Sequence, residues 1–105
     1  MKQFKRPGLF AASAALLMMS QVMTSQALAA EGKTVYEQAC AACHAVLPPR
    51  FGDQAAWAPL RKQGVAVLVA SVLQGKGAMP AKGGNPALTE IEIRAAVEYM
   101  LAGIK

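Results

Sequence analysis

The chain has 105 residues, of which 54% are hydrophobic and 16% charged, with two Cys, one His and a formal net charge of +5. That length holds one domain, leaves little room for a second and excludes large catalytic scaffolds. The averages join two segments of different character, however, and the first contains three of the eleven basic residues.

Residues 1–29 read as an export leader. Lys2, Lys5 and Arg6 form a basic start, an apolar stretch runs from Leu9 to Met19, and Ala27-Leu28-Ala29 supplies the small-x-small pattern of a signal peptidase site. Cleavage is expected after Ala29. No charge lies between Pro7 and Ala30, so a retained anchor is the alternative; Ser20, Gln21, Thr24, Ser25 and Gln26 interrupt the apolar run and favour cleavage. The domain then spans residues 30–105 and keeps only Met79 and Met100 of the six Met residues. A domain of this size has a marginal core and commonly needs a covalent or metal staple.

The first helix is predicted from Glu31 to Ala42, with Gly32, Val35 and Tyr36 near one face. Cys40-Ala41-Ala42-Cys43-His44 follows. A disulfide between Cys40 and Cys43 would close a tiny loop that constrains the unfolded chain very little. In an exported protein, C-x-x-C-H is the attachment signal of haem c, because two thiols at that spacing meet the two vinyl groups while the adjacent imidazole is carried beneath the iron. Two competing readings are weaker. Thioredoxin-like dithiol chemistry wants a βαβ pattern around the cysteines, and structural zinc wants four ligands where the chain offers one His and two Cys. His44 is thus the candidate proximal iron ligand, and as the only His it excludes a bis-histidine site built from this chain alone.

Residues 45–53 form a Pro- and Gly-containing loop. Asp53 is placed to cap a short helix over 54–58, where Pro59 argues for a break or a separate turn. Between Gly64 and Gly75, the run Val65–Leu73 is apolar on nearly every side; helix is the first reading, and its β-branched content makes strand the alternative. Gly75-Lys76-Gly77-Ala78-Met79-Pro80-Ala81-Lys82-Gly83-Gly84 cannot continue a helix and is free to wrap a flat cofactor. Pro80 biases Met79 towards extended backbone and presents its sulfur from a fixed position, so Met79 is the candidate sixth ligand, with loop packing as its competing role. The last helix is the best specified. Thr89 and Glu92 form a capping box, Glu90 and Glu92 complement the helix dipole, and Gly103 terminates it. Ile93, Val97, Met100, Leu101 and Ile104 mark the inward face, which assigns Met100 to the core. The Ala96–Tyr99 side is expected to meet the first helix, with Gly32 permitting close approach and Tyr36 supplying aromatic area.

On these residues the chain resembles class I cytochrome c, and within it the small bacterial group called cytochrome c-five. The resemblance is carried by Gly32 and Tyr36, the C-x-x-C-H string, Gly52-Asp53 with Trp57-Ala58-Pro59, Gly75 to Pro80 with Gly83-Gly84, and Ala95 to Met100, and it covers essentially all of residues 30–105. It implies an all-α fold of three to five helices around one covalently attached haem, with crossed terminal helices and His44/Met79 ligation. It also implies that the Pro49 carbonyl accepts a hydrogen bond from the other ring nitrogen of His44, and that Trp57 lines the haem and approaches a propionate, with simple core packing as the alternative for the indole. Two extra cysteines found in some members of the group are absent here, where Asn85-Pro86-Ala87 stands.

The function implied is a periplasmic electron shuttle that passes single electrons between respiratory redox partners, membrane-bound complexes among them, without changing a substrate. A haem subunit of a larger oxidoreductase and a haem sensor or enzyme with a labile sixth ligand are the alternatives. Ala41, Ala42, Ala45, Ala78 and Ala81 suit a small apolar docking rim, and Lys76 and Lys82 suit steering beside it, against ordinary solvated surface as the plainer role. Nothing resembles a nucleic-acid platform, and no small-molecule substrate is expected. Without the leader, eight basic residues face six acidic ones, and two haem propionates would cancel that excess, so docking must rest on local patches.

Overall fold

The computed structural model describes residues 31–104; the expected leader, residues 1–29, lies outside the described residues. Four helices are joined by short loops, and no strand occurs among the described residues. Helix α1 occupies residues 31–44 in three parts. An α-helical start over 31–35 passes into a π-helical turn, Tyr36–Cys40, and returns to α-helix over Ala41–His44. Both joints, Val35 and Ala41, keep right-handed helical angles, so the element is continuous. Within the π-turn the Ala41 N–H donates to the Tyr36 carbonyl five residues back, one residue further than an α-helix allows.

Beyond His44 the chain folds back over the end of α1. The N–H groups of Val46 and Leu47 both donate to the Cys43 carbonyl (3.0 and 2.7 Å), and the Phe51 N–H donates to the His44 carbonyl (2.7 Å). Helix α2, Gln54–Arg61, starts at Asp53, whose carboxylate accepts the Ala56 N–H at 3.3 Å. The break expected at Pro59 does not occur. The missing N–H costs one rung, to the carbonyl of solvent-exposed Ala55, and the buried Trp57 with Leu60 anchors the helix across it.

Helix α3, Val65–Gln74, is bracketed by Gly64 (φ 90°) and Gly75 (φ 81°). Its β-branched residues do not make it a strand. The penalty for Val in a helix is a few tenths of a kcal/mol, roughly, whereas an unpaired buried strand would leave a row of backbone groups unbonded. After a short 3-10 turn, Ala81–Gly84, helix α4 runs over Glu90–Ala102. Its capping box is formed: the Thr89 hydroxyl accepts the Glu92 N–H at 3.2 Å, and the Glu92 carboxylate accepts the Thr89 N–H at 3.2 Å. Gly103 ends α4 as expected, but in right-handed geometry (φ −77°). Glycine is needed there because a Cβ would strike the Phe51 ring.

Helix α4 presents Ile93, Ala96, Val97 and Met100, all buried, at the i, i+3, i+4, i+7 spacing of one face. Two groups of buried residues result. Val35, Leu68, Val69, Leu88, Ile93, Ala96 and Val97 form one; Tyr36, Trp57 and Met100 form the other, with Cys40, Leu60 and Leu101 packed against both. Tyr36, Phe51 and Tyr99 close an aromatic triangle with ring centroids 4.8 to 5.5 Å apart. The expected contact of the terminal helices is present, with its tightest point one residue earlier than the Ala96–Tyr99 side: a Cβ on Gly32 would strike the Ala95 carbonyl and lie 3.1 Å from the Tyr99 Cβ.

Gly32→Ala therefore forces α1 and α4 apart and should cost about 1–3 kcal/mol in denaturant unfolding of the protein, against less than about 0.5 kcal/mol for exposed Lys33→Ala. Equal midpoints for the two variants would remove the close approach as a determinant of the fold.

Candidate functional site

A cavity of about 370 Å³ opens between the two buried groups, and α1, α2, α3, α4 and the loops between them all contribute to its wall. Cys40, His44, Pro49, Trp57 and Met79, five of the six residues singled out by sequence, line it. Cys43 does not: it is exposed, three residues along α1 from the half-buried Cys40. Both thiols are free, and residues at i and i+3 share a helix face. Burial pushes the Cys40 thiol above its ordinary pKa, and the neighbouring Cys43 acts in the same direction.

His44 sits in the last turn of α1, half-buried. Its Nδ1 lies 2.9 Å from the Pro49 carbonyl oxygen. A carbonyl only accepts, so Nδ1 carries the proton and Nε2 keeps its lone pair for a metal. Trp57, buried on α2, places its ring 6.3 Å from the imidazole, centroid to centroid. Its Nε1–H donates to the Arg50 carbonyl at 2.8 Å. The indole has one donor, and here the backbone carbonyl of Arg50 takes it.

The loop bearing Met79 is more ordered than its glycines suggest. Lys76 and Met79 exchange both backbone hydrogen bonds, each 3.0 Å, across Gly77 and Ala78. Gly77 has φ 58°, the positive value that a two-residue hairpin of type II′ needs at its first central position. Behind it, a Cβ on Gly75 would lie 2.9 Å from the Ala81 nitrogen and 3.0 Å from the Met79 oxygen. Further on, Gly83 (φ 61°) lies against the Ala39 carbonyl of α1, and Lys82 is held at φ 56°, the one non-glycine with positive φ among the described residues.

Met100 is buried, as its helical position requires, and it also reaches the cavity wall. Lys76 and Lys82 lie on the same wall, and no carboxylate does. Ala42, Ala45, Ala78 and Ala81 are exposed and Ala41 is half-buried; of these Ala78 lines the cavity. Val46 and Leu47, 62% and 57% exposed, stand in the chain between the cavity-lining His44 and Pro48 and were not singled out by sequence, because two apolar residues in a loop carry no periodic signal. The Arg50 carbonyl was missed as well, since any residue supplies a carbonyl and only the fold selects one.

The donor set fits haem c. A bare metal ion would want three or more grouped His, Cys, Asp or Glu side chains, and none are grouped so among the described residues. An apolar cavity lined by the Cys40 thiol, one oriented imidazole and the thioethers of Met79 and Met100, with the Cys43 thiol exposed one turn along α1, suits a large, flat, apolar group with an iron at its centre.

Comparison with known proteins agrees. A family model described as "Cytochrome C oxidase, cbb3-type, subunit III" matches residues 27–100. The chain is 46% identical over 84 residues to cytochrome c-555 of Chlorobaculum thiosulfatiphilum, a match covering 73% of this chain and 98% of that protein. It is 42% identical over 103 residues to cytochrome c-555 of Chlorobaculum tepidum, covering 89% and 95% respectively. The fold is similar to a chain in a crystal structure of an electron transfer complex of nitrite reductase with cytochrome c, with TM-score 0.68 and 46% identity over 71% of this chain and 95% of that one.

Two glycine variants separate the demands on the Met79 loop. Gly77→Ala meets nothing within 4 Å and should cost only the left-handed backbone, roughly 1–2 kcal/mol. Gly75→Ala adds a clash with the Met79–Ala81 backbone, and should cost about 1–3 kcal/mol more in the same urea titration.

Proposed function

Because the chain belongs to the class I cytochromes c, as a small electron-transfer cytochrome, we propose that it carries single electrons between redox proteins of the periplasm, using one haem c bound through Cys40 and Cys43 and ligated by His44 and Met79. The observation that carries this reading is the His44 Nδ1 to Pro49 contact of 2.9 Å inside an apolar cavity that Met79 also lines. It leaves one imidazole nitrogen as an iron donor, and of the two thioethers on the wall, Met79 on its loop is favoured over Met100, which belongs to the packed face of α4.

His44 and Met79 would hold the haem iron, and the group would supply one-electron chemistry with little bond rearrangement, the soft sulfur favouring the ferrous state. The chain's own residues prepare that exchange in three ways. Pro49 fixes the tautomer and ring orientation of His44 and makes it a better donor. The Lys76–Met79 hairpin holds the Met79 backbone at both its N–H and its C=O, so the thioether is presented from a rigid base. Leu68, Ile93 and Val97 line the wall with apolar groups, which keep water from the cofactor.

The wall carries no carboxylate, and its one imidazole is engaged at Nδ1, an arrangement that supports electron carriage over acid–base catalysis. The exposed apolar side chains of Ala42, Ala45, Val46 and Leu47, which flank the cavity-lining His44 in the chain, support brief docking of protein partners, of which membrane-bound respiratory complexes are one class. Export to the periplasm is supported by the basic start, apolar run and Ala27-Leu28-Ala29 of residues 1–29. A second reading, a haem subunit of a larger oxidoreductase, draws on the match to the cbb3-type oxidase subunit III family; stable co-purification with a partner would favour it over a diffusing carrier.

A pyridine haemochrome spectrum of the periplasmic fraction should report one haem c per chain, and its absence would end the proposal. The ferrous protein should resist carbon monoxide at neutral pH. Met79→Ala should bind it rapidly and show a lower reduction potential. Fast, stoichiometric binding by the wild type, or an unchanged spectrum and potential in the variant, would remove Met79 from the ligand set.

A further inference from the structure

We infer that Trp57 is a positioning residue for the iron ligand: its indole N–H, bonded to the Arg50 carbonyl, fixes the neighbouring Pro49 carbonyl and through it sets how strongly His44 donates. The inference rests on His44 ligation as proposed above. It starts from three hydrogen bonds made by consecutive residues. Pro49 O accepts from His44 Nδ1 (2.9 Å), Arg50 O accepts from Trp57 Nε1 (2.8 Å), and Phe51 N donates to His44 O (2.7 Å).

The peptide joining Arg50 to Phe51 is therefore held at both ends. Its N–H is tied to the backbone of the ligand residue itself, and its C=O to a buried indole on another helix. The Pro49 carbonyl belongs to the next peptide and is separated from this one only by the Arg50 backbone torsions. With one plane fixed, only those two torsions set where the Pro49 carbonyl points. The Asp53 N–H also reaches the Arg50 carbonyl, at 3.1 Å, and the Arg50 Nε reaches the Val46 carbonyl at 2.9 Å, but both groups belong to exposed residues of the same loop. Trp57 is the contact that ties the loop to the core, being 6% exposed and packed with Tyr36 and Met100.

A hydrogen bond from the distal ring nitrogen raises the basicity of a metal-bound imidazole, and hydrogen bonding behind the ligand is one of the means by which a protein sets a haem potential. If the Pro49 carbonyl is allowed to drift, the bond lengthens on average, His44 becomes a poorer donor and the ferric state loses support. The sign is an upward shift of potential.

Trp57→Phe keeps an aromatic ring and deletes the donor. Because Trp57 is the only Trp in the chain, biosynthetic replacement by benzothienylalanine, which keeps the bicyclic shape and lacks the N–H, gives a second test if the Phe variant folds poorly. In the haem-loaded ferric protein, both should raise the reduction potential and speed hydrogen exchange at His44 Nδ1 by about fivefold, the ratio that one ordinary net hydrogen bond supports. Ile104→Val, which trims the same buried group away from the cavity, should lower stability and leave both readouts in place. An unchanged or lower potential with unchanged exchange in the isostere would overturn the inference and reduce Trp57 to packing. Failure of the underlying reading looks different: His44 ring protons of the wild-type ferric protein would then lack paramagnetic shifts.

Discussion

Helices α1 and α4 meet where Gly32 lies on the Ala95 carbonyl, and the geometry of the cavity follows from that approach. With no side chain between them, the two backbones come close enough that Val35 and Tyr36, one turn along α1, meet Ile93, Ala96 and Met100 on α4 in two separate packing groups. Cys40 and His44 then lie further along the same helix, away from the crossing, where the walls diverge. A wider crossing would move the thiols and the imidazole relative to Ile93 and Met100, although the contact that holds it lies at the opposite end of α1, at Gly32.

What holds the remainder is mostly short-range. The loop after His44, the Asp53 cap, the Lys76–Met79 hairpin and the Thr89–Glu92 box are each closed within a few residues. The ion pairs Lys33–Glu37 and Arg94–Glu98 are exposed and contribute little. Such a chain specifies its walls locally but has a small apolar interior, divided by the cavity. On the proposed reading the haem completes that interior, so cofactor attachment and folding stability are coupled, as they are in other small domains that rely on a staple.

The parts legible in sequence were those whose chemistry is written in residue identity. The C-x-x-C-H string, the capping box, the glycines flanking α3 and the inward stripe of α4 each follow from side-chain type and spacing alone. Met79 was singled out by composition and by Pro80, yet its pairing with Lys76 depends on two backbone groups that no residue name reveals. Pro59 was overweighted, because its helix-breaking tendency was set against local propensity without the buried Trp57 that spans it. The indole was singled out from its motif, but its bond to the Arg50 carbonyl was not legible, because a carbonyl seven residues back becomes available only once the loop has folded over α1.

The π-helical turn of α1 has a consequence for how this helix tolerates change in length. In an α-helix each residue advances about 100° around the axis, so a turn that accommodates one extra residue rotates everything before it relative to everything after it by about that angle. Gly32 and Val35 precede most of the turn, while Cys43 and His44 follow it. The extra residue is thus what allows the crossing contact and the thiol–imidazole string to be correctly aimed at once. A one-residue deletion between Tyr36 and Cys40 would leave every functional side chain present and the helix more regular, with its two halves facing the wrong neighbours. In this helix the count of residues between the glycine and the first cysteine is itself a conserved quantity in the mechanical sense, as binding on the fold as any side chain.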